Sequence, residues 1–420
     1  MNKLTRNLDK RLRIHYGWIC ATGGIQAFLI LATSTATLPL VLVALGEALG
    51  ITNGEAGTIF APYGVFFIIG ALSWGLLADK IGLRKSLTLS SLMLSIGIVG
   101  MGTINSTIMG MFFYSIIGFA AGAPTTLSAI LTRAWFDKSK RGIAQSYITS
   151  PRTLYTAILG IMVPLILLAY GWRSVWYFLG AVNLFFSVLV YSLVRDDPKE
   201  KNVLPYGASP NENHNSKNLN GYVSKMAVLK KGITWHLGAI FVLNVFIIKA
   251  FNFFVVAYLI SEVGLTPVEA GGAFSVFALS MMVGGYVWGF LSDYIARKYV
   301  VALGSILYAI FLLAFIIFGN EIIAIYILAA AVGFAIGTPA VTFAMVSDYF
   351  PLNVTGTASG IINAISGVGF LLGPLVAGGI ITATGNSIPA FEVAVIVAVS
   401  LAVVSLSLRQ PTRKDCQDRG

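Results

Sequence analysis

The chain has 420 residues, of which 57% are hydrophobic and only 11% charged, with a formal net charge of +11 at pH 7. A soluble domain carries about a quarter charged residues, so this composition excludes a soluble globular protein and indicates one solvated by a lipid bilayer. Two cysteines, Cys20 and Cys416, and three scattered histidines, His15, His214 and His236, give no disulfide framework, metal-ligand spacing or nucleophile–base pair, so neither an enzyme nor a cofactor is indicated.

The basic start, MNKLTRNLDKRLRIHYGW, is followed by no small-residue cleavage site, so the first apolar run is expected to be a retained helix. Apolar runs without strand alternation, each long enough to cross about 30 Å of hydrocarbon, predict spans near 17–45, 56–78, 86–104, 108–135, 142–169 and 173–194. A polar linker follows, with NENHNSKNLN at 211–220. Six more spans are expected near 233–262, 268–292, 299–318, 321–348, 355–384 and 387–409. The predicted fold is an all-α membrane protein of twelve transmembrane helices. It comprises a six-helix bundle over 1–194, a cytoplasmic linker over 195–232, and a second bundle with a short basic tail over 233–420.

All Lys and Arg except Arg173, Arg152 and Lys249 fall in the tails, the linker or the loops after even-numbered spans. Short loops rich in these residues stay cytoplasmic, so both termini are expected inside. The positive charge is then topological rather than a sign of nucleic-acid binding. The two halves also repeat. EAG at 55–57 matches EAG at 269–271, and WGLLADKIGLRK at 74–85 matches WGFLSDYIARK at 288–298 with one residue deleted. GFAAGAP at 118–124 matches GFAIGTP at 333–339. Two six-helix halves repeated in parallel are a build of secondary transporters, with a central site between them.

GLLADKIGLRK resembles the loop 2–3 signature of the major facilitator superfamily and recurs, degraded, at the corresponding place in the second half. HYGW and TRAWFDKSKRGIAQS add a looser resemblance to monocarboxylate and oxalate/formate carriers. The resemblance covers essentially the whole chain and implies a multi-pass inner-membrane transporter, functional as a monomer. It also implies a gate latch: Asp79 with Arg84 and Lys85, and Asp293 with Arg297 and Lys298, the aspartates pairing across the halves when the inner side is closed. The plainer alternative is charge flanking helix ends. Gly118 with Gly122, and Gly333 with Gly337, put small residues four apart on one face for close helix packing. Pro124 and Pro339, each without an N–H donor, are expected to bend their helices.

Arg152 and Lys249 stand near the middle of their spans, where a charge costs about 2.5–3.5 kcal/mol on insertion scales. Glu47, Glu55, Glu262, Glu269 and Glu321 sit at span ends and Glu392 little further in, so no acidic partner is in view. Two cations from different halves without a matching anion point to an anionic substrate. Thr149 and Tyr155 flank Arg152 at helical spacing, and Asn252 lies one turn from Lys249. Tyr63 and Tyr114 could add hydroxyl donors, and Ser366 occupies the repeat position of Arg152. The alternatives are bonds from the cations to backbone carbonyls, and packing for the tyrosines.

The expected activity is secondary transport of a small organic anion, a carboxylate first, by alternating access. Two charges about 6 Å apart repel by roughly 3 kcal/mol at an effective dielectric of 20, which favours exchange. A lysine that released its proton in the empty state would instead give symport, with H+ the coupling ion. The carboxylate-carrier pattern is incomplete: the eighth and eleventh spans carry no basic residue. Organophosphate antiporters use a basic residue in the seventh span, as Lys249 is placed, but pair it with a first-span arginine absent here. A proton-coupled exporter would want an intramembrane acid, and a non-transporting sensor is separated only by a flux assay.

Overall fold

The computed structural model describes residues 15–137, 139–208, 228–319, 321–350 and 352–409. The first half supplies Tyr16–Leu49 (first span), Asn53–Thr58 and Ala61–Ile81 (second), Leu83–Met101 (third), Thr107–Ala121 and Ala123–Trp135 (fourth), Arg141–Thr149 and Pro151–Tyr170 (fifth), and Trp172–Leu193 (sixth). The second half supplies Gly232–Ser261, Pro267–Tyr294, Arg297–Phe318, Ile322–Ala335 with Pro339–Tyr349, Leu352–Thr384 and Ile388–Leu406 as the seventh to twelfth spans. Eleven spans are long and apolar enough to cross a bilayer; the third, rich in serine and carrying Arg84 and Lys85, is the twelfth.

Prolines decide where spans are interrupted. Pro62, Pro124, Pro151 and Pro339 each stand in the first turn of a new helix, where a missing N–H costs nothing. Pro124 and Pro339 were expected to bend continuous helices. They instead open fresh ones after Gly122 and Thr338.

The sequence repeat is written again in hydrogen bonds. Thr52 and Glu55 form a capping box at the second span, and Thr266 and Glu269 form the same box at the eighth. Trp74 Nε1 donates to Phe119 O at 2.8 Å, and Trp288 Nε1 donates to Phe334 O at 2.8 Å. Gly118 and Gly122 face the backbone of Tyr63 and of Gly70–Ala71, while Gly333 and Gly337 face that of Phe277 and of Gly284–Gly285. A methyl group at any of the four would collide with main chain, so these glycines serve close packing within each half. The one-residue deletion in the second motif also has a local meaning. Gly82 turns the chain at φ 88°, a region L side chains avoid. The second half turns instead through Ile295 and Ala296, both at negative φ.

The two halves meet along the first and seventh, second and eleventh, and fifth and eighth spans. Hydrogen bonds and glycine contacts across this seam gather away from the basic loops. Asn53 Nδ2 donates to Ser261 Oγ at 3.1 Å, and Ser275 Oγ donates to Ala157 O at 2.7 Å. Gly54 rests against Gly378 and Thr382, and Gly160 against Gly271 and Ser275. A longer contact, Asn363 Nδ2 to Thr125 Oγ1 at 3.5 Å, lies nearer the basic end.

The chain after the sixth span folds back on the first half. Arg84 N donates to Asp196 Oδ1 at 2.7 Å and Trp135 Nε1 to Arg195 O at 3.0 Å. Tyr206 N donates to Trp135 O at 2.8 Å, and Asp137 N to Tyr206 O at 2.9 Å. The part of the expected linker over 209–227 lies outside the described residues.

Candidate functional site

The fifth span is nearly continuous through Ser150, which keeps helical angles, but Pro151 starts a new helix and Arg152 is its second residue. The guanidinium makes no described hydrogen bond or ion pair, and the side chain is half-buried. The alternative of bonds to neighbouring carbonyls is therefore not what this structure shows.

Lys249 lies on an unbroken 30-residue helix and is 7% exposed. Its packing depends on the eleventh span. Gly373 lets that span approach so closely that a methyl group there would stand 3.0 Å from Lys249 Cβ and from Phe246 O. Gly369 faces the backbone of Val242, and Gly367, on another side, faces Ile68 of the second span. The eleventh span is thus wedged between the second and seventh, and Phe370 occupies the wedge. Lys249 Nζ sits 5.0 Å from the Phe370 ring centroid. That ring also meets Phe67 at 5.0 Å and Tyr63 at 5.7 Å.

A cation–π contact contributes about 0.5–2 kcal/mol, against roughly 2.5–3.5 kcal/mol for a charge at this depth. The ring therefore compensates only part of the cost for Lys249, and Arg152 has no comparable support. The two cations come from different halves. Acids of the described residues are engaged elsewhere or exposed. Glu55 and Glu269 cap helices, and Glu262 accepts from Ser387 N at 2.8 Å. Asp348 pairs with Arg297, and Glu392 is exposed on the twelfth span. What remains is a pair of cations, one from each half, without a carboxylate partner among the described residues.

The other candidates divide. Tyr155 is half-buried, and its hydroxyl accepts from Thr33 Oγ1 at 3.5 Å. Asn252 is half-buried with no described hydrogen bond, and Thr149 Oγ1 donates to Gln145 O at 3.0 Å. Ser366 is buried, donating to Asn363 O at 2.6 Å within its own helix. Tyr63 is fully buried, its hydroxyl 3.5 Å from Ser34 Oγ. Tyr114 is fully buried with its hydroxyl directed to Ser34 O at 3.4 Å, so its present role is packing. Sequence reasoning missed Phe370, Thr33, Asn363 and Thr125; only the glycines flanking Phe370 signalled a close approach there.

The basic motifs make contacts of their own. Arg84 Nε donates to Tyr191 O at 2.7 Å, and Lys298 Nζ to Leu408 O at 2.9 Å, each fastening the last span of its own half. Lys85 is exposed. Asp79 and Asp293 are exposed and make no described hydrogen bond or ion pair, so no latch is engaged. Among the described residues no group of His, Cys, Asp and Glu could hold a metal ion.

The family description "Major Facilitator Superfamily" matches residues 24–258 and 237–419. A probable galactarate/D-glucarate transporter of Escherichia coli (strain K12) is 25% identical over 373 residues, covering 82% of this chain and 83% of that one. A hexuronate transporter of Bacillus subtilis (strain 168) is 24% identical over 381 residues, covering 85% and 87%. The inward-facing, unoccupied crystal structure of a bacterial homologue of the human lysosomal transporter Spinster shares the fold. Its TM-score is 0.74 at 14% identity, over 93% of this chain and 95% of that one.

Proposed function

The chain belongs to the Major Facilitator Superfamily and is a multi-pass inner-membrane transporter, and on that premise we propose that it carries a sugar acid, with Arg152 and Lys249 as the paired anion-binding groups. The observation that carries this reading is the pair itself: two cations within spans of opposite halves, with no carboxylate partner among the described residues. Intramembrane cations of this kind mark substrate paths. Arg152 offers a planar fork for a carboxylate and Lys249 a point charge. The Asn252 amide, one turn from Lys249 and with no described hydrogen bond, suits a hydroxylated chain better than a bare short acid. The sugar-acid names of the relatives support the same class.

Transport proceeds by alternating access. The basic end faces the cytoplasm by loop charge, so the seam at Asn53, Ser261 and Ser275 is the closed outer gate. Asp79 and Asp293 pair across the halves in the opposite state. Repulsion between two like charges makes closing an empty site costly, so exchange outpaces net flux.

The test is uptake into proteoliposomes of labelled D-glucarate and D-glucuronate, with lactate, oxalate, malate and glycerol phosphate alongside. Each is measured with and without the same anion trapped inside, for wild type and Arg152→Ala. Sugar-acid uptake accelerated by internal anion and lost in the variant supports the reading. Preference for glycerol phosphate would make this an organophosphate antiporter, and flux driven only by external acid would make it a symporter. No flux of any anion, or an unaffected variant, refutes the two-cation site.

A further inference from the structure

Phe370 is a residue that the anion-binding reading does not by itself require, yet it touches both sides of the site. Its ring lies 5.0 Å from Lys249 Nζ in the second half and 5.0 and 5.7 Å from the rings of Phe67 and Tyr63 in the first. Its place is set by three glycines: Gly367 presses the eleventh span against the second, and Gly369 and Gly373 press it against the seventh. The ammonium has no described hydrogen-bond or carboxylate partner, so the ring face is its described neighbour of opposite electrostatic sign. Attraction between an ammonium and a ring face is directional and specific to an aromatic group.

We propose that Phe370 is a positioning residue for anion binding, which holds the Lys249 ammonium over its ring in the empty carrier and, through Phe67 and Tyr63, ties that position to the packing of the two halves. This rests on Lys249 being an anion-binding group. Without the ring, Lys249 samples many rotamers, and an arriving anion must order it. Affinity then falls while the rate at saturation does not. A seat built from both halves also exists only in the access state that packs them this way. Lys249 is thereby presented to the anion in one state and released in the other.

The experiment measures D-glucarate exchange kinetics in proteoliposomes for Phe370→Leu, Phe370→Tyr and Lys249→Met, and for the double variant Phe370→Leu/Lys249→Met. Leucine keeps apolar bulk and removes the ring face. The expected result is that Phe370→Leu raises KM about fivefold at an unchanged maximal rate, and that tyrosine restores the wild-type KM. In the Lys249→Met background the leucine substitution changes KM by less than about twofold, because it acts through the lysine. An equal effect of leucine in both backgrounds, or a lowered maximal rate with unchanged KM, overturns the proposal and leaves a packing residue. If Lys249→Met and Arg152→Ala both leave KM unchanged, the anion site itself is refuted, and this inference with it. Should Phe370→Leu fail to insert or elute as a single species, tyrosine and tryptophan carry the test. Both must then keep the wild-type KM, and a raised KM in either overturns the proposal.

Discussion

Replacing Arg152 by alanine separates a binding arginine from a structural one, because the two roles move stability and affinity in opposite ways. The guanidinium has no described protein partner, so its removal breaks no internal hydrogen bond and relieves part of a burial cost of roughly 2.5–3.5 kcal/mol. The thermal midpoint of the purified substrate-free protein should therefore stay level or rise. The bound anion, in contrast, loses charge-assisted hydrogen bonds of about 1.5–3 kcal/mol, which corresponds to a dissociation constant raised about 12- to 150-fold. Calorimetric titration with D-glucarate and a melting curve, on wild type and variant together, read both quantities. Arg152→Lys should fall between, keeping charge and losing the fork. A midpoint lowered by several degrees at unchanged affinity would show that the arginine is tied to the protein, and would refute the reasoning.

Further outcomes follow from the packing. Tyr114→Phe removes only a 3.4 Å bond to Ser34 O; KM should change by less than about twofold, and a larger rise would return Tyr114 to the site. Trp74→Phe and Trp288→Phe each remove a 2.8 Å bond to a carbonyl that keeps a backbone donor, Phe119 O from Gly122 N at 3.3 Å and Phe334 O from Gly337 N at 3.2 Å. Each should cost about 0.5–1.5 kcal/mol, and in reversible unfolding the double variant should show their sum within about 0.5 kcal/mol, since the sites lie in different halves. Gly54→Val places a side chain against Gly378 and Thr382, so the outer gate should fail to close. A cysteine at Ser275, in a chain without others, should then react faster with a maleimide confined to that side, and unchanged labelling would contradict the gate.

Span positions, the repeat and the packing role of the paired glycines were legible in the sequence, because each is a local or periodic pattern. Span breaks were less so. Proline signals an interruption but not its extent: Pro164 and Pro374 remain inside helices, whereas Pro124, Pro151 and Pro339 begin new ones. What differs is whether the surrounding spans hold the helix together, which no local window records. Arg152 and Lys249 stood out as charges in apolar runs, and the structure leaves both without a carboxylate. Phe370 did not stand out. It is one of 27 phenylalanines, and its significance lies in contacts to two other spans that are distant in sequence. Tyr114 shows the converse error: a polar atom in an apolar run invites a functional reading, yet a carbonyl of the first span already uses it.

The fastening of Arg195–Ala208 to the first half has a consequence for how the protein is inherited and built. Its described bonds to the spans run to His15, Arg84, Trp135 and Asp137, all in the first half. The helix caps, tryptophan bonds and glycine contacts that organise each half are likewise internal to it. Two genes, one ending after Ala208 and the other starting before Val228, should therefore yield polypeptides that insert separately and reunite through the seam. A gene of half this length that pairs with its own duplicate is the ancestor such an architecture invites.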